Sequence, residues 1–467
     1  MDPSSPIRRR GLLVGAAGAA AGGAVSRWAG RAGPVTAGPG TILRAQTGPV
    51  GIGARTVATW SYGGELPGPQ LRAVAGGRAH VRLVNDLPAG TTVHWHGIRL
   101  ENAMDGAPHV TQHPVPPGSS FDYDFAVPDP GTYFFHSHVG TQLDRGLYGT
   151  LVVEDPTEPL AYDAEILVVL DDWLDGVTGT PDDALAHLDH AGGDRLLSSP
   201  ILGGHAGDVA HPYHLVNGRT PDAPVTLAAR PGQRVRLRIV NAAADTAYRV
   251  ALGGHRLRVT HSDGFPVEPV TGDALLIGMG ERYDALVTVG DGAFPLVALA
   301  EGKNARGFAV LRTAAGAAPP PTVSVPQLNG RLITVADLRA TDAVHLPPGP
   351  PDRTVTLSLG ERPPGYVWTL NGRAHPDVSR TEVHAGQRVR LVLVNDSSMF
   401  HPMHLHGHTF QIRPAAGRGA RKDTLIIRPL ERFTVDLVAD NPGEWMVHCH
   451  NLFHGERGMM SVLGYAS

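Results

Sequence analysis

Ten of the chain's 24 histidines stand in four short clusters, and its single cysteine lies inside one of them. The clusters are His94-Trp95-His96, His136-Ser137-His138, His401-Pro402-Met403-His404-Leu405-His406, and His448-Cys449-His450 followed by His454 and Met459. Successive side chains of a β-strand point to opposite faces, so each His-x-His pair presents two imidazoles on one side. Four such pairs can converge on one metal site. Cys449, between His448 and His450, faces the other way, and so does His401, an odd number of positions before His404 and His406. Cys449, His401 and His454, with the thioether of Met459, would then form a second site behind the first. Two histidines, one thiolate and a weak axial methionine are the donor set of a blue-copper electron-transfer centre. One His-x-His pair alone is more often structural; four of them beside the only cysteine make an ordinary core or surface role untenable.

The elements that must position these residues repeat along the chain. Gly76-Gly77-Arg78-Ala79-His80-Val81-Arg82-Leu83-Val84-Asn85 returns as Gly232 to Asn241 and again as Gly386 to Asn395, with the asparagines 156 and 154 residues apart. Each copy is a turn glycine leading into a strand of alternating apolar and polar residues. The domain ends repeat too: Pro130-Gly131 through His136-Ser137-His138 parallels Pro442-Gly443 through His448-Cys449-His450, and Arg145-Gly146-Leu147 parallels Arg457-Gly458-Met459. The middle copy keeps the frame over Gly292 to Leu299 and Arg306-Gly307-Phe308, but its metal-capable positions are apolar. Aligning the first copy on the third sets Thr91 at His401, Ser137 at Cys449, Gln142 at His454 and Leu147 at Met459. The second donor set is therefore confined to the third copy, while the His-x-His pairs are shared between the first and third.

Length and composition agree with three domains. At 467 residues the prior is about three. Apolar residues make up 42% and charged ones 18%, enough to bury cores. The 58 glycines and 40 prolines suit many short strands joined by tight turns. A net charge of −4 argues against a nucleic-acid binder held by phosphate contacts, and one cysteine excludes an intrachain disulfide. The pattern predicts an all-β chain of three tandem Greek-key β-sandwich domains at 38–157, 158–316 and 317–467, the last boundary falling in Ala317-Ala318-Pro319-Pro320-Pro321. The stretch from Asp175 to Pro212 reads as irregular, with a short helix near Pro181–Leu188.

Residues 1–37 read as an export signal. Arg8-Arg9-Arg10-Gly11-Leu12-Leu13 precedes a mild Ala/Gly run to about Val25, and Val35-Thr36-Ala37 offers a cleavage site. The paired arginines resemble a twin-arginine signal, the route of proteins exported already folded. The run is too short and glycine-rich to anchor in a membrane. These features predict a soluble periplasmic or extracellular monomer.

The four clusters resemble the four-motif signature of multicopper oxidases, specifically three-domain laccase-like enzymes built of cupredoxin domains. Met104-Asp105-Gly106-Ala107-Pro108, Thr111-Gln112 and Gly146-Leu147-Tyr148-Gly149 extend the likeness, which covers nearly the whole mature chain. The resemblance implies four copper ions. Type 1 copper would be held by Cys449, His401, His454 and Met459. Type 2 would be held by His94 and His404, and the type 3 pair by His96, His136, His138, His406, His448 and His450. It implies electron entry through a solvent-facing His454, transfer from Cys449 to His448 and His450, and reduction of dioxygen to water. Asp105 matches the family's acidic residue beside the three-copper cluster, a proton relay, although Met-Asp-Gly is also an ordinary turn. Glu456 is a second relay candidate; some relatives carry the acid one position earlier, where this chain has Gly455.

The reducing substrate is less legible. Eight methionines without a methionine-rich run speak against a dedicated Cu(I) oxidase. No carboxylate is placed near the type 1 histidines by sequence. The histidines at 187, 190, 205, 211 and 214 could bind copper or line a donor site, and otherwise form a solvated loop. By elimination the donor is a phenol or aromatic amine, with copper resistance through Cu(I) oxidation as the alternative.

Overall fold

The computed structural model describes residues 24–25, 33–191, 197–414 and 417–466. Most of residues 1–37, expected to be an export signal, including Arg8 to Arg10, lies outside them. The chain is all-β, as the alternating strands require, and its large sheets fall into three pairs, with Ser198–Ser199 and Gly204–His205 forming a small two-stranded sheet apart from them. Strands Ile42–Gly51, Thr56–Tyr62, Gly77–Asp86 and Ser120–Val127 form one sheet of the first sandwich; Val35–Thr36, Gln70–Val74, Tyr148–Glu154, Gly131–His136 and His94–His96 form the other. A seven-stranded and a six-stranded sheet make the second sandwich, and a six-stranded and a five-stranded sheet the third. The same parallel pairing recurs in each: Ile42–Gly51 with Gly77–Asp86, Ala164–Trp173 with Arg234–Asn241, and Arg353–Glu361 with Arg388–Asn395. One continuous buried cluster of apolar side chains runs through all three sandwiches.

The repeated asparagine explains why the frame recurs. Asn85, Asn241 and Asn395 are fully buried. Each side-chain amide donates to two carbonyls: Ala89 and Val115 for Asn85, Thr246 and Ile277 for Asn241, Met399 and Ile427 for Asn395. Each side-chain oxygen accepts the N–H two residues on, at Leu87, Ala243 and Ser397. The amide thus satisfies three backbone groups where the strand ends and the loop to the next strand begins, a place no water reaches. In the third sandwich that loop delivers His401, and in the first it delivers Thr91 and His94.

The irregular stretch holds one helix, Pro181–Ala191, slightly longer than the sequence suggests. The proline run after residue 316 does not end the second sandwich's packing. Val325 and Leu328 sit in a cluster with Ala251, Val297 and Phe308, and Leu332–Ile333 pairs with Ala274–Leu275. Apolar residues beyond the prolines cover an open sheet edge there, and the third sandwich's first strand begins only at Arg353. At the other end, Val35–Thr36 pairs with Leu71–Arg72 and Ala37 is buried, so first-sandwich structure starts ahead of residue 38. Among the described residues no helix is long and apolar enough to cross a membrane.

Replacing Asn241 with Ala should cost about 2–4 kcal/mol, since it strands buried backbone groups in a sandwich holding none of the histidine clusters. The urea midpoint of the folded chain measures it; an unchanged midpoint contradicts the role.

Candidate metal centres

The first and third sandwiches face each other with their histidine strands. His94–His96 pairs with Gly131–His136, placing His94 beside His136; His401–Leu405 pairs with Glu444–Cys449, placing His404 beside His448. Trp95 turns into the first core against Phe125 and Phe135, and its neighbours His94 and His96 therefore face the third sandwich. All eight predicted imidazoles meet at this seam. His94 Nε2 lies 3.4 Å from His404 Nε2, His138 Nε2 3.3 Å from His448 Nε2, and His406 Nε2 3.1 Å from His448 Nε2. The rings of His94 and His406, and those of His96 and His404, stack at 3.7 Å. His450 lies 4.9 Å from His96 and 5.3 Å from His136, ring to ring.

Six of the outer nitrogens are anchored, which fixes the tautomers of those rings. His94, His404, His136 and His448 donate from Nδ1 to the carbonyls of Asp105, Asp423, Ser137 and Cys449 at 2.8–3.0 Å. His406 Nδ1 donates to Asp105 Oδ2 at 2.9 Å, and His96 Nε2 to Asp423 Oδ1 at 3.2 Å. His96 Nδ1, His136 Nε2 and both ring nitrogens of His450 are buried without any hydrogen-bond partner. Burial pushes the imidazoles of His96, His136, His138, His406, His448 and His450 well below their ordinary pKa, which favours neutral rings that present lone pairs. Outer donors anchored and inner lone pairs orphaned is the arrangement a metal cluster needs, and these residues fit copper.

The second sandwich supplies a clasp that sequence reasoning missed. Arg282, fully buried, donates to both oxygens of Asp423 at 2.7 and 2.6 Å. Burial alone would raise the Asp423 carboxyl, but Arg282 holds it well below the carboxylate range. That charged carboxylate carries His96 from the first sandwich, and its backbone carbonyl carries His404 of the third. The signal was present in the glycine after His96. A Cβ on Gly97 would stand 2.3 Å from Arg282 Nη2 and 2.7 Å from Asp423 Oδ2, so only glycine lets the clasp close.

The second donor set assembles behind the first. Cys449 Sγ lies 3.6 Å from Nδ1 of both His401 and His454, and those two nitrogens are 3.0 Å apart. Outer nitrogens are again held: His401 Nε2 by Ser397 Oγ at 2.7 Å and His454 Nε2 by Asp208 Oδ2 at 2.8 Å. Met459 is buried and tied by its backbone to Cys449 and His454. Burial pushes the Cys449 thiol up, so a bound cation is what would favour its thiolate. In the first sandwich the aligned positions form a hydrogen-bonded polar triad instead: Gln142 Oε1 accepts from Thr91 and Ser137, each at 2.7 Å, with Leu147 buried.

His454 is not solvent-facing as expected. Its side chain is fully buried beneath Trp368, whose ring lies 3.8 Å away, and Asp208, itself bonded by Tyr366 Oη at 2.7 Å. Asp208, Tyr366 and Trp368 come from segments with no motif, and only the fold brings this carboxylate to the site. The His-rich stretch splits: His187 and His190 are exposed on the helix and His205 is half-buried. His211 and His214 are buried, His211 between Asp144 and Asp172 at 3.4 Å each and His214 against Tyr248. They belong to no solvated loop. Asp105 is buried with its carboxylate between His94 and His406. Glu456 lines a pocket with His136, His138, His448, His450 and Leu143, and burial raises its carboxyl.

Replacing Arg282 with Met leaves Asp423 as an unpaired buried charge, a loss of about 3–5 kcal/mol. Thermal unfolding should show it, and metal analysis should show copper lost from the His94/His404 position; full copper content would contradict the clasp.

Three family models, each described as multicopper oxidase, match residues 45–158, 167–316 and 346–466. Multicopper oxidase MmcO of Mycobacterium tuberculosis is 47% identical, covering 91% of this chain and 86% of its own. A copper resistance protein A homolog of Pseudomonas syringae pv. tomato is 28% identical over 87% of this chain and 88% of its own. The structure of Fet3p, a multicopper oxidase that functions in iron import, shares the fold with a TM-score of 0.79 at 23% identity, over 93% of this chain and 90% of that one. With three matched domains and a relative at nearly half identity, the chain belongs to the multicopper oxidase family and is a copper-dependent oxidoreductase.

Proposed function

We propose that this enzyme oxidises phenolic or aromatic amine donors one electron at a time and couples four such oxidations to the reduction of dioxygen to water. In this reading His401, Cys449, His454 and Met459 hold type 1 copper, His94 and His404 type 2, and the other six histidines the type 3 pair. Copper held there supplies the one-electron chemistry, receiving electrons singly and delivering four to dioxygen. The chain's own residues do the rest. Cys449 is peptide-bonded to His448 and His450, so the two centres share a covalent path of a few bonds.

The observation that carries the donor class is Asp208 on His454 Nε2, flanked by Tyr366 and Trp368. Both bonds to Asp208 fall on Oδ2, which leaves Oδ1 to accept the hydroxyl or amino proton of an aromatic donor lying against the two rings. Proton loss and electron loss then occur at one place. No methionine among the described residues is exposed, so no thioether surface gathers Cu(I). On the oxygen side, we assign proton delivery for water formation to Asp105, between His94 and His406, and to Glu456, in the pocket that reaches the type 3 histidines. Export by the twin-arginine route, rests on Arg8 to Arg10 and the apolar run behind them.

A second reading, oxidation of Cu(I) in copper resistance, is favoured by the likeness to copper resistance protein A and by Asp208, whose carboxylate would also hold a cation. A steep gain in activity on adding excess Cu(II) would favour it.

Asp208→Asn should raise KM for a phenol about tenfold or more while the blue band persists, since one such factor is about 1.4 kcal/mol of lost contact. Steady-state kinetics on electron-rich phenols decides; unchanged KM and kcat would remove Asp208 from the donor site. Cys449→Ser should abolish the blue colour and turnover, and retained turnover would refute the electron path.

A further inference from the structure

Two contacts to His454, one on its ring and one on its backbone, hang from one buried carboxylate. Asp245, in the second sandwich, is fully buried. Its Oδ2 accepts from the backbone N–H of Asp208 at 2.9 Å, from that of Val209 at 3.0 Å, and from Lys303 Nζ at 2.7 Å. Its Oδ1 accepts from Asn451 Nδ2 at 2.6 Å. The loop bonded through Asp208 ends on His454 Nε2. Asn451 ends on the same residue by another path: its own Oδ1 caps the helix Leu452–Glu456, accepting the N–H of Phe453 at 3.1 Å and of His454 at 3.3 Å.

The clasp is charge-balanced and closely fitted. Lys303, 2% exposed, also donates to the carbonyl of Val209 at 3.0 Å and to Thr246 Oγ1 at 2.9 Å, so its ammonium is satisfied within the same knot. A Cβ on Gly207 would stand 2.5 Å from Asp245 Oδ2 and 2.6 Å from Lys303 Nζ, at a φ of +150°. The loop therefore approaches the carboxylate at a distance that only glycine allows.

We propose that Asp245 is the positioning residue of the electron-entry site, setting the Asp208 loop and the His454 helix against each other from a sandwich that holds no ligand of its own. The inference rests on reading His401, Cys449 and His454 as that site. Asp245 touches neither donor nor copper. It acts through Asp208, which meets the donor, and through Asn451, which orients the helix carrying His454. Removing its charge leaves Lys303 as a buried ammonium without a counterion and turns an amide toward it, so the loop and the helix end lose their common reference.

The test is Asp245→Asn in the full-length, copper-loaded chain, with hydroquinone as donor. The blue band should shift, the type 1 potential should move, and KM should rise at least about fivefold, as loose positioning of a reacting group predicts. The rate at which air reoxidises the reduced protein should not change. Gly207→Ala displaces the same loop without altering any charge and should move KM and the blue band in the same direction. A copper-loaded Asp245→Asn protein with wild-type spectrum, potential and KM overturns the proposal, whatever its melting temperature. If that variant does not fold, a wild-type spectrum and KM in Gly207→Ala overturns it instead. A wild-type chain that carries copper but no blue band would overturn the reading of the site itself, a separate failure.

Discussion

Eight imidazoles turned lone pair to lone pair in a dry seam are an arrangement folding alone does not favour. Each inner nitrogen left without a partner costs about 1–3 kcal/mol of desolvation. Burial disfavours protonation, holding the imidazoles of His136 and His448 well below their ordinary pKa. The rings stay in place because every element around them opposes relaxation. Backbone carbonyls and two carboxylates hold the outer nitrogens of six of them, and the strands carrying them are pinned in register. Metal binding is what returns the energy stored in the seam, so copper loading and the docking of the first and third sandwiches are coupled.

The second sandwich, bare of ligands, is the part that makes this docking specific. Arg282 reaches Asp423 under the eight-histidine cluster, and Asp245 reaches the Asp208 loop and Asn451 at the Cys449 site. Both carboxylates belong to buried charge pairs: Arg282–Asp423 joins the second and third sandwiches, and Asp245–Lys303, within the second, also holds Asn451 of the third. Such pairs contribute little net stability, but losing one partner is expensive, so they penalise every arrangement except the one in which all groups are satisfied. Two glycines, Gly97 and Gly207, mark the places where backbone comes close enough for the pairs to form.

Much of this was legible in the sequence because strand parity is a strict rule. The opposite facing of Cys449 relative to His448 and His450 follows from position alone, and the structure brings together every histidine assigned to each set. The repeat predicted three sandwiches and the loss of the second donor set from the first, where Thr91, Ser137 and Gln142 now bond one another. What escaped were residues whose role depends on distant packing. Asp208, Arg282 and Asp245 sit in segments without motif and reach their sites from the second sandwich, and Asp423, in the third, has no motif around it either. The burial of His454 escaped for the same reason, since Trp368 lies far away in sequence and covers it only in the fold. His211 and His214 looked like loop histidines because their buried partners, Asp144, Asp172 and Tyr248, are not their sequence neighbours. Only Gly97, directly after His96, hinted at a close approach, and it also takes the left-handed position of the turn from Trp95 to Ile98.

The central claim is that the chain assembles two coupled copper centres that empty and refill together. The most direct measurement is copper per chain and the visible spectrum of purified, copper-loaded protein, before and after anaerobic addition of a phenol and again after admitting air. The account predicts close to four coppers, one at the Cys449 site and three in the seam, with a blue band that bleaches on the phenol and returns in air. Little copper and no blue band after full loading would contradict it, leaving the eight buried lone-pair-bearing imidazoles without a chemical reason.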